Sequence, residues 1–527
     1  MQLSGVVSIA VGLCLLGLSP GVTAEYRASR DESCVNMEDR AAHWRDALRQ
    51  SSADPSSKAN DELNLSAFRS FCTGDDDAAL RLFDKVLKAD SENLFAMRGR
   101  AIVHGQQGLL AVAIDDWGLI LRLVPTDQAA LLARGLAQLE SGAFDKAMED
   151  AAALLRIDAH SADGHFLMGM ISSDRGSLAE SVSWFDKAVQ LDPQSVHARH
   201  NRGIALSKMG RHDLALQDYN FAVEHTPDGE SLYNMLANRS QALEGLGKYE
   251  QAFSDVDRAI GMRPGQWLAH NLRGIYYVGV GRKDAAMVGF SDVIRVAPQE
   301  PFGYTNRGRL HLEMGDPVRA VADLSAALSL KPSHVPALIQ RGLAWSAMGE
   351  GAKAEADFTK AIDTEPNNPR LRRLRSMARS NLGKFEAASV DADEMLRLQT
   401  DTDVSNAVLF RYFAKARAGG REEALRDLAS VSASSATNAR RRPIAELVLA
   451  AAPEEFLTAV ERSLVGVPPS QECQSRVFLG RWALTQQRLA DARSYFSRAM
   501  ETCGVSMETD TARTELKRIS SEAAKGL

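Results

Sequence analysis

His197 and His200 stand three residues apart, a spacing that brings two imidazoles together on one helical face, where they could ligate a transition metal. No third ligand accompanies them, so two surface histidines are the expectation and no metal site is assigned. Other chemistry-bearing patterns are missing: there is no HExxH, no phosphate-binding glycine loop and no Cys-x-x-Cys, and the single GxSxG match, Gly17-Leu18-Ser19-Pro20-Gly21, falls at the end of the apolar N-terminal stretch and not between a strand and a helix. The sequence is therefore expected to carry no catalytic residue and no cofactor. Two glycosylation acceptors, Asn64-Leu65-Ser66 and Asn238-Arg239-Ser240, match by pattern. The second falls in a packed helix and reads as accidental; the first matters only in a eukaryotic source. A cluster of Arg370, Arg372, Arg373, Arg375 and Arg379 could meet an acidic partner or form a solvated face, with Arg440, Arg441 and Arg442 further on.

The chain that carries these residues repeats itself. Gly74, Gly108, Gly142, Gly176, Gly210, Gly247, Gly281, Gly315, Gly349, Gly383 and Gly419 form a ladder with steps of 34 residues, broken by one of 37 and one of 36. Counting Pro301 as the first place of a unit puts Gly315 at the fifteenth. The eighth place is small (Gly203, Ser240, Gly308, Gly342), the twentieth is almost always alanine, the twenty-fourth is usually bulky (Phe185, Tyr219, Phe290, Phe358), and the thirty-second is often proline. Small residues let two antiparallel helices approach closely while the bulky one fills the groove between them. The ladder glycine suits the left-handed end of a first helix, and the proline stops the second. One such hairpin cannot bury its apolar face alone, so neighbours must stack.

Charges repeat with the same period. Arginine at the seventh place accompanies aspartate at the twenty-third in Arg100/Asp116, Arg134/Asp150, Arg202/Asp218, Arg239/Asp255, Arg307/Asp323, Arg341/Asp357, Arg375/Asp391 and Arg411/Asp427. Where the arginine becomes Met168 the aspartate becomes Trp184; only Arg273, opposite Gly289, breaks the rule. Residues that appear and vanish together touch, so these are expected to be structural ion pairs across each hairpin.

The period together with the small, glycine, alanine, aromatic and proline marks resembles the tetratricopeptide repeat (TPR) family. That resemblance implies an all-α fold, an α-solenoid in which antiparallel helix pairs wind into a right-handed superhelix. In that family the second, fifth, ninth and twelfth places of the first helix line a concave groove that holds extended peptides or partner helices. The resemblance implies partner-binding roles for Phe95, Arg98 and Ile102; Leu132, Leu136 and Leu139; Phe166 and Met170; His197, His200 and Ile204; Asn271; and Phe302 and Arg309, with Arg370 and Arg373 beyond. Leu132, Leu136, Leu139, Phe166 and Met170 form either one exposed apolar patch or packing between repeats.

In chain order, residues 1–24 read as a signal peptide with an apolar core from Val6 to Leu18 and a small-residue cleavage site at Val22-Thr23-Ala24. Residues 25–59 read as an N-terminal cap helix and polar linker, 60–438 as eleven repeats, 439–506 as degenerate and final repeats, and 507–527 as a polar helix closing the far end. No second stretch is apolar enough to span a membrane. Beyond Cys14 the cysteines are Cys34, Cys72, Cys473 and Cys503, an even number that suits an exported protein. Cys473 and Cys503 occupy the first and thirty-first places of one hairpin, at the same end of two antiparallel helices, and are expected to be bonded. The formal charge of −6 argues against nucleic acid as partner. The expectation is a periplasmic or secreted, non-enzymatic scaffold that binds a protein or peptide in its groove. The unit from Cys473 to Cys503, with Val477-Phe478-Leu479-Gly480, resembles the last repeat of bacterial TPR lipoproteins, which implies an adaptor in envelope or cell-wall machinery. The alternative is an accessory subunit of a glycan-export or glycosyltransferase complex.

Overall fold

The computed structural model describes residues 55–227, 229–398, 404–432, 468–504 and 506–524. The expected signal peptide, most of the N-terminal cap and the decaying stretch 439–467 lie outside them. Among the described residues every regular element is an α-helix, and consecutive helices pack in pairs. These fall into two units, one ending at Val280 and one beginning at Gly281. The first opens with Pro55–Cys72 against Asp76–Ala89, continues through five more hairpins to Tyr249–Met262, and ends with Trp267–Gly279. The second opens with Lys283–Val296, runs through hairpins from Pro301–Glu313 onward to Pro469–Thr485 with Leu489–Thr502, and ends with Met507–Ala524. The linker expected to reach residue 59 is shorter than that, because the chain is already helical from Pro55. Proline suits a first turn, where its missing N–H leaves no bond unmade.

Every ladder glycine takes a positive φ, from +71° at Gly247 to +99° at Gly419. At Gly315 the turn satisfies the orphan carbonyls of the first helix: the Gly315 N–H donates to the Leu312 carbonyl at 3.0 Å, and the Asp316 N–H donates to that of His311 at 2.9 Å. In the last repeat Gln487 stands in the glycine's place and still adopts φ +59°. Helix starts carry a further regularity: Asn93, Asp127, Ser161 and Ser195 each accept the backbone N–H three residues on. The three-residue insertion before Glu230 accompanies a lengthened first helix, Glu230–Gly245 having 16 residues where Val196–Lys208 has 13.

Packing inside a hairpin follows the periodic small and bulky places. A Cβ added to Gly342 would stand 2.6 Å from the Phe358 ring, and one on Gly203 would stand 2.8 Å from that of Tyr219. Only a bare α-carbon admits the ring. Between the helices the Arg–Asp pairs form as expected. Arg202 Nε and Nη2 donate to the two Asp218 oxygens at 2.8 and 2.6 Å, and Arg239 grips Asp255 at the same distances. Pairs of the same form hold Arg100, Arg134, Arg307, Arg341 and Arg375. The Asp427 side chain lies outside the described residues; Arg411 forms an ion pair with Asp393 at 2.7 Å.

The remaining donor of most of these arginines does something the pairing alone did not suggest; Arg134 is the exception, because Gly118 at the place concerned has no side chain to meet it. Elsewhere the donor reaches back to the twenty-fifth place of the preceding repeat: Arg202 to Asp186 at 2.8 Å, Arg239 to Asn220 at 3.1 Å, Arg341 to Ser325 at 3.1 Å and Arg375 to Thr359 at 3.3 Å. Each of these arginines thus ties its own hairpin to the one before. This accounts for Arg273, which has no aspartate at its own twenty-third place yet meets Asp257 at 3.3 Å.

The expected staple is present. Cys473 and Cys503 are disulfide-bonded with their α-carbons 5.1 Å apart across 30 residues of sequence. A closed loop of that length stabilises by about 3–4 kcal/mol through the unfolded chain. Cys473→Ser should accordingly lower the melting temperature of the second unit and raise hydrogen exchange first in Pro469–Thr485 and Leu489–Thr502. Equal melting temperatures for the two proteins would show that the bond contributes nothing.

Candidate functional site

First-helix faces are where the resemblance put the partner, and the structure divides them. Ile102, Leu132, Leu136, Leu139, Phe166 and Met170 are all buried, within one hydrophobic cluster of the first unit. Of the two readings of Leu132, Leu136, Leu139, Phe166 and Met170, their burial agrees with packing in the core and not with an exposed apolar patch. The reason is compositional. Helix Gln128–Glu140 buries Leu131, Leu132, Ala133, Leu136, Ala137 and Leu139, apolar residues on every side, and such a helix belongs in an interior. Helix Val196–Lys208, by contrast, buries only Ala198, Gly203, Ala205 and Leu206, which leaves His197, His200 and Ile204 partly accessible. Phe95 and Arg98 are partly buried, and Arg98 forms an ion pair with Asp127. Asn271 is buried at 8% exposure. In the second unit Phe302 lies edge-on to His334 with ring centres 5.5 Å apart, and Arg309 donates to Glu313 at 2.8 Å.

His200 takes part in no metal cluster; among the described residues no group of three metal-ligating side chains assembles. Its Nε2 accepts from the Asn238 amide at 3.0 Å, and its ring tilts against Tyr219. Although the residue as a whole is partly accessible, its ring is enclosed between Asn238 and Tyr219, and this desolvation pushes its pKa down from 6.5 to about 4. Protonation at Nε2 would set a donor against the Asn238 donor. Since the folded value is depressed, stability is complete above about pH 6.5 and is lost as pH falls toward about 4. Thermal unfolding across that window should show the loss in the wild type, and His200→Gln should flatten that part of the profile. Identical profiles would place the titration elsewhere.

In the second unit the first-helix face is already filled. Helix Met507–Ala524, expected to cover the far end, packs on Leu489–Thr502 and also across the first helices Val335–Ala347 and Pro369–Asn381. Several of the contacts fall on places assigned to the groove. Arg373, at the fifth place, donates to Glu508 at 3.2 Å, and Gln474 donates to the same oxygen at 3.3 Å. Ser346, at the twelfth, donates to Asp510 at 2.6 Å, and Asn381 donates to the same oxygen at 2.8 Å. Met507, Ala512 and Ile519 are buried on the same side, in a cluster that also takes in Ile339 and Leu343. Two arginines of the terminal helix approach the carbonyl ends of the first helices, Arg518 at Asn381 (2.7 Å) and Arg513 at Ala347 (3.4 Å). Cations are favoured there by the partial negative charge of the last turn.

The arginine cluster is resolved by the same geometry. Arg375 and Arg379 hold Asp391, Arg379 also holds Glu355, and Arg372 lies 3.8 Å from Glu394. Arg373 turns instead to the terminal helix, and Arg370 is exposed. Ser346, Asn381, Arg417 and Arg481 were not singled out from sequence. Arg481 stands at the ninth place of the last repeat, a groove place that Arg309 also holds, and that shared place was the signal that could have found it.

The fold and the periodic contacts define a protein of stacked helical hairpins. Family models described as tetratricopeptide repeat match residues 132–196, 184–217 and 305–369, and the chain carries tetratricopeptide repeats. It is 29% identical over 189 residues to tetratricopeptide repeat protein 34 of Homo sapiens, covering 31% of this chain and 33% of that protein. With the DnaJ homolog subfamily C member 7 homolog of Schizosaccharomyces pombe it shares 27% identity over 130 residues, 22% of this chain and 27% of that protein. The chain thus spans no more than about a third of the length of these curated relatives. Among solved structures it is similar to a tetratricopeptide repeat protein from Parabacteroides merdae (TM-score 0.41, 22% identity, covering 48% of this chain and 98% of that one). It is also similar to YrrB, a TPR protein with an unusual peptide-binding site (TM-score 0.29, 18% identity, 36% and 97% covered).

Proposed function

We propose that this chain is an exported, non-enzymatic adaptor that holds a segment of another protein against its first helices. The observation that carries the reading is the terminal helix: a first-helix face of this chain already binds a helix, with side chains at groove places making the contacts. Export is supported by the cysteines. Cys473 and Cys503 are bonded, and Cys72 is bonded to a partner outside the described residues, a usage that suits an oxidising compartment. A place in envelope or cell-wall machinery follows from the last repeat's likeness to those of bacterial lipoproteins. Photo-cross-linking in the native cell tests the binding face. A benzoylphenylalanine at Ile204 or Phe302 should give discrete protein adducts, identified by mass spectrometry. The same group at Val288, Val318 or Val390, second-helix positions 62–64% exposed, should give none. Adducts of equal strength from both sets, or from neither, would overturn the reading.

A further inference from the structure

The buried side of Met507–Ala524 is mostly polar. Thr509, Asp510, Thr511 and Glu515 are all buried, against Met507, Ala512 and Ile519 as apolar contacts. Permanent interfaces are dominated by apolar surface, whereas exchangeable ones are more polar because both faces must tolerate water when apart. The receiving surface is polar in a complementary sense. Arg373 meets Glu508, the Ser346 hydroxyl and Asn381 amide converge on Asp510, and Arg417 lies 3.6 Å from Glu515.

The fit around Glu515 is incomplete. A pocket lined by Ser380, Phe385, Phe413, Arg417, Arg481 and Glu515 opens there. The Arg481 side belongs to a residue only 7% exposed, and Glu515 Oε2 is buried without a hydrogen-bond donor. Burial lowers the Arg481 pKa to about 10, with Glu515 and Glu508 as the acids that counter it. An arginine buried so deeply requires a carboxylate nearby, and the terminal helix supplies one that is imperfectly seated.

We propose that residues 507–524 are an intramolecular stand-in for a partner, and that the face formed by Val335–Ala347, Pro369–Asn381, Val404–Arg417 and Pro469–Thr485 receives an acidic amphipathic helix from another protein in their place. The incoming helix presents carboxylates at the spacing of Glu508, Asp510 and Glu515, beside an apolar stripe at that of Met507, Ala512 and Ile519. The inference rests on the adaptor reading above and gives its partner a chemistry. A tethered occupant competes at an effective concentration on the order of millimolar, so only a helix with better-placed acids displaces it.

The test uses the full chain and, as probe, a fluorescein-labelled peptide of residues 506–524. Wild type should bind it weakly. The chain carrying Glu508→Arg and Asp510→Arg, whose own helix is repelled, should bind it at least ~10-fold more tightly. Adding Arg373→Ala to that chain, which removes the guanidinium that Glu508 of the peptide meets and gives the repelled helix no new partner, should weaken binding back to the wild-type level or below. If the opened chain keeps its helical circular dichroism and binds no peptide, the proposal is wrong. Native-state hydrogen exchange on the unmodified protein provides a second measurement that does not depend on any variant folding. Amides of 507–524 should exchange by local opening well before those of Val335–Ala347 and Pro369–Asn381, and equal protection would make the helix a fixed part of the fold. Should the peptide fail while Ile204 and Phe302 still cross-link a partner, this inference falls and the adaptor reading stands.

Discussion

Asp391→Ala should lower the unfolding free energy of the second unit by about 3–5 kcal/mol, the usual cost of removing one partner from a buried charge pair. The carboxylate is 1% exposed and satisfies two arginines at once: Arg375 through contacts of 2.9 and 2.6 Å, and Arg379 at 2.9 Å. Arg372 stands 4.0 Å away. Removing the acid leaves Arg375 facing only the Thr359 hydroxyl, and Arg379 with Glu355 alone among acids. Asp391→Asn keeps an acceptor and should cost less. The double replacement Arg375→Met with Asp391→Leu should recover part of the loss, since a well-packed apolar pair often does as well as a buried ionic one. Urea unfolding of the three variants decides it. A loss under about 1 kcal/mol for Asp391→Ala would put the pair in the class of exposed salt bridges.

Phe358→Ala should cost a similar amount, about 3–5 kcal/mol, through the cavity left by a fully buried ring. The ring lies against the bare α-carbon of Gly342, and collapse is resisted because both helices are already in close approach. Because each hairpin contacts chiefly its neighbours, the loss should be local. Hydrogen exchange should rise first in Val335–Ala347 and Gly351–Thr364 and last in Pro469–Thr485. Gly342→Ala should destabilise alone and be partly relieved by Phe358→Leu, whose side chain can retreat from the added methyl. Uniform acceleration across the whole unit would contradict local packing and point to all-or-none unfolding instead.

The contacts that recur along the chain were legible in its amino-acid sequence. The ladder glycines, the glycine beneath Phe358, the Arg–Asp pairs and the Cys473–Cys503 bond all lie within one hairpin. A fixed period places their residues at fixed offsets, so the same physical reason is printed many times along the chain. The second role of the pair arginines, the reach to the preceding repeat, was equally periodic but chemically mixed. Aspartate, asparagine, serine and threonine all serve at that place, which hid the pattern.

Burial on the first-helix face was not legible in the same way. Leu136 and Ile204 hold the same place in the repeat, yet the leucine is core and the isoleucine partly accessible. The difference is set by how apolar the whole surrounding helix is, and by what lies against it. The docking of the terminal helix arises only in the folded chain. Asp510 meets Asn381 and Ser346 across 129 and 164 residues, and Arg518 meets Asn381 across 137. These contacts occur once, between a helix outside the repeat pattern and places whose side chains vary from repeat to repeat. No period carries them, because the acids of one helix can find their hydroxyl, amide and guanidinium partners only after the repeats have stacked and brought Ser346, Asn381 and Arg373 to one face.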